Sequence, residues 1–348
     1  MMQEHGDHAH LRPAGVNPPP KAARILVTGA WIDESLLSPL RDLGYAPRRQ
    51  SSPFLTEDAL ISELRGAVAY LHGGEERATP RALRAARETL RVVAFLGVGY
   101  ENFVDVAAAD ELGIVVTNTA GAATDSVASF TVGQIINANW RIPQGLGNRV
   151  PDWGGPHDLP HELSARRVGI IGLGAIGARI ADILTRSFGA DVAYFSRTRR
   201  HDVEEALGLR FLPLHELAER SDILVVMVPE TEKTRSMVDA GVLARMRPGA
   251  VVVNTARPAI VDPAALHASM RKGEVHLAVF DGYYGPDCEM GRRLLDDFGD
   301  RVLVTGHVAS HTQEATARMV RQAVRSIANV LTAGGDEHAV GLARRTRR

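Results

Sequence analysis

An apolar run, Val168-Gly169-Ile170-Ile171, leads into Gly172-Leu173-Gly174-Ala175-Ile176-Gly177. Ala178-Arg179-Ile180-Ala181-Asp182-Ile183-Leu184 follows with helical character. Read in order, this is a strand, a tight turn and a helix. In a Gly-x-Gly-x-x-Gly turn the first glycine permits the bend and the second lets the backbone approach a pyrophosphate. The third lets helix and strand pack closely, and the helix N-terminus faces the negative charge. The pattern restricts this part of the chain to a βαβ unit. It also names a dinucleotide as the ligand class before any substrate is considered.

The 348 residues are enough for two domains of ordinary size, and 45% of them are apolar, so sizeable cores can form. A formal net charge of −1 supports neither a nucleic-acid partner nor a surface drawn to anionic lipid. The single cysteine, Cys288, forms no internal disulfide and no cysteine metal cage, which fits a reducing, cytoplasmic setting. No metal site is expected. No apolar run approaches the roughly 18 residues that span a bilayer. Met1–Pro20 is rich in His, Gly and Pro and lacks the apolar core of a signal peptide, so residues 1–23 read as a disordered tail. His5, His8 and His10 within it read as solvated rather than as metal ligands.

From residue 24 onward, strand-like and helix-like segments alternate. Arg24–Thr28, Ala67–Leu71, Val92–Leu96 and Val115–Asn118 read as strands, with helices over Asp33–Leu43 and Pro80–Leu90. This rhythm favours a parallel sheet. A long helix is predicted from near Ser126 toward Trp140, then a loop or arm over Gly145–Pro160 that is rich in Gly, Pro and Asp. The glycine turn opens a second series with strands Val168–Ile171, Val192–Phe195, Ile223–Val228, Val251–Asn254, Leu277–Phe280 and Val302–Thr305. Six strands with intervening helices is the count of a doubly wound dinucleotide fold. The helical stretch Gln313–Leu331 comes after the last of these strands, so the first domain is expected to be discontinuous. The expected division is 24–125 plus 309–335 for one domain and 126–308 for the other, with 336–348 as a tail ending in the basic Arg344–Arg348. No internal repeat is present.

In folds of this kind an acidic residue after the second strand, about 20 residues past the glycines, holds the ribose hydroxyls of NAD. Here that position is Ser196, followed by Arg197-Thr198-Arg199-Arg200. A carboxylate would repel a 2′-phosphate, whereas a hydroxyl beside a guanidinium accommodates one. NADP(H) is therefore expected in preference to NAD(H), which is the second choice.

Three further segments end predicted strands: Val253-Asn254-Thr255-Ala256-Arg257, Ala278-Val279-Phe280-Asp281 and Val304-Thr305-Gly306-His307-Val308-Ala309. Open α/β sheets bind ligands at this carboxyl edge. An arginine there can hold a carboxylate bidentately and polarise a carbonyl, and a histidine can donate the proton that accompanies hydride delivery. Taken singly, Arg257 would read as a surface charge and His307 as a structural histidine. Their common edge with the glycine turn favours chemistry.

The chain resembles the D-isomer-specific 2-hydroxyacid dehydrogenases, the family of glyoxylate and hydroxypyruvate reductases and phosphoglycerate dehydrogenase, with formate and phosphite dehydrogenases as relatives. The resemblance covers roughly residues 24–335. It rests on Gly97-Val98-Gly99-Tyr100-Glu101-Asn102, Asn118-Thr119-Ala120-Gly121-Ala122, Gly172–Gly177, Asn254-Thr255-Ala256-Arg257 and Thr305-Gly306-His307, in the family's order. It implies an α/β chain of two doubly wound domains, a Rossmann NAD(P)-binding domain inserted in a flavodoxin-like substrate domain, and commonly a homodimer. It implies that Arg257 binds the 2-oxo acid and that His307 is the acid in reduction and the base in oxidation. Main-chain groups at Gly73, Gly74, Val98 and Gly99 would hold the substrate carboxylate. Cofactor contacts would fall to Gly172, Gly174, Ala175, Ile176, Gly177, Ser196, Arg197, Thr198, Pro229, Thr234, Thr255, Ala256 and Asp281, the last touching the nicotinamide carboxamide.

The chain departs from the family's pattern at three places. The glutamate that normally precedes a proline and supports the catalytic histidine is replaced by Gly285 before Pro286, in a segment that looks one residue short. Without that carboxylate the imidazolium loses a stabiliser, and proton transfer at neutral pH is expected to weaken. Asp287, Glu289, Tyr283 and Tyr284 are the nearby side chains that could replace it, the tyrosines more in keeping with aromatic packing. Pro258 follows Arg257 where glycine is usual and restricts Arg257 to extended geometry. Gly306 stands where proline usually precedes the histidine. The leading expectation is an NADPH-dependent reductase of a small 2-oxo acid. The alternatives are a dehydrogenase abstracting hydride from a small anion of the formate, phosphite or phosphonate type, and a weakly active cofactor-binding regulatory protein.

Overall fold

A computed structural model describes residues 22–145 and 160–342. The expected N-terminal tail with its three histidines, most of the Gly145–Pro160 arm and the Arg344–Arg348 end lie outside the described residues. The chain divides into two compact units, one running to Ala122 and resuming at Thr316, the other Ala123–Ala315.

The first unit holds a five-stranded parallel sheet of β1 (Arg24–Val27), β2 (Ala46–Arg49), β3 (Ala67–His72), β4 (Val92–Phe95) and β5 (Val115–Thr117). Its strand order, β2-β1-β3-β4-β5, is the flavodoxin-like one. β3 and β4 are buried throughout, as near-continuous apolar strands must be when both faces of a parallel sheet are covered. On one face, Leu26, Tyr70 and Val93 pack with Leu60, Leu64 and Leu83 from the helices Glu57–Leu64 and Pro80–Ala86. Thr56 and Thr79 cap these helices by accepting first-turn amides. On the other face, Ile25, Val27 and Leu71 pack with Val320, Val324, Ile327 and Leu331 of the helix Gln313–Ala333. That burial is why the end of the chain belongs to the first unit.

The second unit holds a seven-stranded parallel sheet: β6 (Arg167–Ile171), β7 (Asp191–Phe195), β8 (Arg210–Phe211), β9 (Ile223–Val226), β10 (Ala250–Asn254), β11 (Val275–Asp281) and β12 (Val302–Thr305). The order β12-β11-β10-β9-β6-β7-β8 is the dinucleotide-binding arrangement with one added edge strand. The switch point, where the order reverses, lies between β6 and β9. Apolar clusters cover both faces, one around Leu224, Val252 and Phe280, the other around Ile170, Val225 and Val253.

Several expectations need correction. β2 and the helix Glu57–Leu64 have no counterpart in the sequence reading, and β8 makes the second sheet seven-stranded rather than six-stranded. Asp33–Leu43 is a 3₁₀ turn over Glu34–Leu37 followed by a short α-helix Ser38–Asp42, not one helix. The unit boundaries also shift. Ala309 stays with the second unit because its amide bonds the Asp281 carboxylate and its carbonyl accepts the Ser126 hydroxyl.

Candidate active site

The glycine turn joins β6 to the helix Ala175–Phe188. Gly172 has φ +103°, and a Cβ there would lie 2.4 Å from the Met227 carbonyl oxygen. A Cβ on Gly177 would lie 2.1 Å from the Gly172 carbonyl oxygen, so helix and strand touch where the third glycine sits. Gly174 is different: a Cβ there would meet nothing within 4 Å, and Gly174 and Ala175 are exposed. No side chain caps this helix, and the first amides of a helix have no intrahelical acceptor. The turn is thus an open cradle of main-chain donors at a positive helix end, which fits a pyrophosphate.

The segment after β7 sorts its own charges. Arg199 forms a bidentate pair with Glu204 (3.0 and 2.6 Å) and lies over the Phe211 ring at 5.3 Å. Tyr194 donates to the same carboxylate at 2.5 Å. The Arg199 and Tyr194 hydrogen bonds hold the Glu204 carboxyl down to about 2. Arg200 pairs with Asp202, reaches the Leu173 carbonyl at 3.4 Å, and gives its amide to the Tyr194 oxygen. Arg197 is exposed and makes no such pair among the described residues. Ser196 donates its hydroxyl to the Thr198 carbonyl at 2.5 Å and keeps lone pairs to accept with.

Pro229 and Thr234 belong to one locked turn after β9: the Thr234 hydroxyl donates to the Pro229 carbonyl at 2.6 Å and accepts the Thr231 amide at 2.8 Å. Beyond β10, buried Asn254 braces the next turn, accepting the Ala256 amide and donating to the Arg257 carbonyl at 2.8 Å. Thr255 shares a 2.7 Å hydroxyl contact with Thr131 of the helix Thr124–Asn139. Arg257 is extended, at φ −141° and ψ 135°, the region that Pro258 imposes on it.

His307 follows β12 with φ +57°, an uncommon backbone state for a residue with a side chain. Asp281, at the end of β11 and 1% exposed, holds the loop that carries it. One carboxylate oxygen accepts the Thr305 hydroxyl at 2.7 Å and the Val308 amide at 2.9 Å; the other accepts the Ala309 amide at 2.9 Å. The His307 Nδ1 lies 3.2 Å from the Asp281 main-chain oxygen and 3.9 Å from its carboxylate. A Cβ on Gly282 would lie 3.2 Å from that same nitrogen, so glycine gives the ring its place. The opposite nitrogen, Nε2, is 3.4 Å from Arg257 Nη1. The two candidate residues are therefore side by side at the carboxyl ends of β10 and β12.

The tyrosines do not support His307. Tyr283 donates to the Gly291 carbonyl and Tyr284 to the Val261 carbonyl, and burial pushes both phenols up. The support missed by the sequence is Asp281 itself, acting through a main-chain oxygen that no side-chain motif encodes.

In the first unit, Gly73 and Gly74 follow β3, and Val98 and Gly99 follow β4. The Gly73 amide is turned inward onto the Thr28 hydroxyl at 3.3 Å, and its carbonyl accepts the Trp31 indole at 3.1 Å. Among the described residues, the amides of Gly74, Val98 and Gly99 make no hydrogen bond, so they rather than Gly73 are the available donors. No group of acidic, His or Cys side chains among the described residues could hold a metal ion. No helix among them is long and apolar enough to cross a membrane.

Comparison with known proteins agrees with this geometry. Residues 132–309 match the family model described as "D-isomer specific 2-hydroxyacid dehydrogenase, NAD binding domain". A glyoxylate reductase of Aeropyrum pernix is 34% identical over 319 residues, covering 88% of this chain and 92% of that protein. A D-3-phosphoglycerate dehydrogenase of Methanocaldococcus jannaschii is 29% identical over 84% of this chain and 54% of its own length. Among solved structures, the TT0316 protein from Thermus thermophilus superposes with a TM-score of 0.80 at 28% identity, covering 91% of this chain and all of that one.

Proposed function

The chain belongs to the D-isomer specific 2-hydroxyacid dehydrogenases, and on that premise we propose that this pyridine-nucleotide-dependent oxidoreductase reduces a small 2-oxo acid with NADPH. The observation that carries the reading is the 3.4 Å approach of Arg257 Nη1 to His307 Nε2, on the sheet edge that bears the glycine turn. When bound, the nicotinamide supplies the hydride. Arg257 binds the substrate carboxylate and polarises the carbonyl. With Nδ1 donating to the Asp281 oxygen, His307 carries the transferable proton on Nε2, beside the same guanidinium. One carbonyl oxygen can then receive both the positive charge and the proton. The amides of Gly74, Val98 and Gly99 are the proposed anchors for the substrate anion.

The cofactor half follows from the same residues. The first-turn amides of Ala175, Ile176 and Gly177 take the pyrophosphate, with Gly174 leaving room for it. NADPH is preferred because Arg197 has no carboxylate partner among the described residues, while Arg199 and Arg200 are already neutralised by Glu204 and Asp202. Ser196 and Thr198 complete the 2′-phosphate site. The Pro229–Thr234 turn, Thr255 and Ala256 would hold the rest of the cofactor, and Asp281, which already braces the His307 loop, would be the acceptor for the carboxamide. Trp140 and Ile142, exposed beyond the helix Thr124–Asn139, supply apolar surface for a homodimer. The single cysteine fits work in the cytoplasm.

NADPH consumption with glyoxylate, hydroxypyruvate and pyruvate tests this reading. Turnover of at least one is expected. Reduction of NADP by formate or phosphite, with no turnover of the 2-oxo acids, would favour hydride abstraction from a small anion. Cofactor binding with no turnover at all would favour a regulatory protein.

A further inference from the structure

The loop Gly73-Gly74 rests on a buried chain of polar groups that the reaction itself does not use. Glu76 is almost wholly buried, with 2% of its side chain accessible, four residues after β3 ends. Its Oε1 accepts the Tyr70 hydroxyl at 2.5 Å. The Tyr70 oxygen is 3.3 Å from the Thr28 hydroxyl, and the Thr28 oxygen is 3.3 Å from the Gly73 amide. Tyr70 is 0% exposed and Thr28 1%. His72 stacks on Tyr70 at 5.0 Å and meets Phe95 and Phe103 edge-on, which closes the network from the side. His72 Nδ1 lies 3.8 Å from Glu76 Oε1, beyond hydrogen-bond reach, which leaves Tyr70 as the hydrogen-bond donor to the carboxylate. Burial pushes the His72 imidazole down to about 4.

We propose that Glu76, acting through Tyr70 and Thr28, is the positioning residue that turns the Gly73 amide inward and presents the Gly74 amide to the substrate anion. A carboxylate only accepts, so Tyr70 must donate to it. The Tyr70 oxygen is then left to accept, and Thr28 must donate to it. The Thr28 oxygen is left to accept in turn, and the remaining donor within reach is the Gly73 N–H. One buried charge thus fixes the direction of every bond in the series, and the series ends on the loop backbone. The contact is close at both glycines. A Cβ on Gly74 would lie 2.2 Å from Glu76 Oε2, and one on Gly73 would lie 2.9 Å from the Thr28 carbonyl oxygen. Breaking the series frees the Gly73 amide to compete for direction, which costs alignment at Gly74 without touching the cofactor or the proton donor.

The proposal rests on the reading that this loop binds the substrate anion, and the test separates the two. Thr28→Val keeps the shape and removes the hydroxyl, Thr28→Ser restores it, and Tyr70→Phe breaks the next link. With NADPH and glyoxylate, Thr28→Val and Tyr70→Phe should raise the glyoxylate KM by about tenfold, the loss of one modest hydrogen bond. The KM for NADPH and kcat should stay within about twofold, and Thr28→Ser should return the glyoxylate KM to its original value. A KM unchanged in Thr28→Val, or a rise matched by comparable losses in kcat and cofactor binding, would overturn the positioning role. Amide hydrogen exchange reads the same device without turnover. Gly73 should be protected in the unmodified protein and in Thr28→Ser, and exchange fast in Thr28→Val. If Gly73 is protected but no 2-oxo acid is reduced, the substrate reading fails and the positioning of the loop stands. An unprotected Gly73 in the unmodified protein would refute the positioning whatever the activity.

Discussion

Asp281 holds His307 twice over: its main-chain oxygen lies 3.2 Å from the imidazole Nδ1, and its carboxylate binds the amides of Val308 and Ala309 that follow. A carbonyl oxygen only accepts, so the first contact makes Nδ1 a donor and leaves Nε2 facing Arg257. The second fixes the left-handed backbone of the histidine.

Asp281→Asn is the sharpest probe of that dual role. An amide can accept one amide hydrogen but turns its own NH₂ toward the other, leaving a buried N–H without a partner. The expected cost is about 1–3 kcal/mol of stability, with kcat falling further than cofactor affinity. Denaturant unfolding beside steady-state kinetics measures both. A variant as stable and as active as the parent would remove Asp281 from the account.

If Arg257 holds the 2-oxo acid in both ground and transition states, Arg257→Ala should raise its KM and lower kcat/KM by roughly 100-fold. Arg257→Lys should recover little, since an ammonium cannot reproduce the planar two-point contact. Initial rates across a substrate series decide this, and a KM indifferent to Arg257→Ala would place the carboxylate elsewhere.

Cofactor choice should turn on Arg197 rather than on its neighbours. Arg197→Ala should lower kcat/KM for NADPH by roughly 10- to 100-fold and leave NADH almost untouched. Ser196→Asp should favour NADH by placing a carboxylate at the position that holds the ribose hydroxyls in NAD-binding folds. Arg199→Ala should act less on cofactor choice than Arg197→Ala does, since Glu204 already occupies that guanidinium. Equal losses at Arg197 and Arg199 would contradict the assignment.

Stability should fall as pH drops below neutrality. His72 is buried and its pKa is lowered from 6.5 to about 4, so between those values the unfolded chain binds a proton that the folded chain does not. The folded state is thus fully favoured above about pH 6.5, and stability is lost as pH falls toward 4, at up to about 1.4 kcal/mol per pH unit. His72→Phe keeps the stacking and should flatten the profile in that window. Unfolding free energies at several pH values test this, and an unchanged slope in His72→Phe would exclude His72 as its source.

Much of the fold was legible because parallel strands buried on both faces are apolar runs: β6 and β10 could be read to within one residue, and β9 and β11 were placed with one end two residues off. β2 could not. It is an edge strand of Ala46-Pro47-Arg48-Arg49 whose two arginines face solvent, so it carries neither alternation nor an apolar run. β8 is two residues long and exists because β7 offers it an edge. At the site, Arg257 and His307 were legible as residue types at strand ends. What orients them was not, because the Asn254 brace and the Asp281 carbonyl use main-chain atoms. The inward turn of Gly73 depends on Thr28, Tyr70 and Glu76, which meet only once β1 and β3 pair.

The most direct measurement is kcat at saturating NADPH and glyoxylate for the unmodified protein and for His307→Ala, with folding of the variant checked by its unfolding curve. If His307 hands the proton to the carbonyl oxygen as hydride arrives, the substitution should lower kcat by roughly 10²- to 10⁴-fold, with a much smaller change in either KM. An undiminished kcat in a folded His307→Ala protein would contradict the central claim.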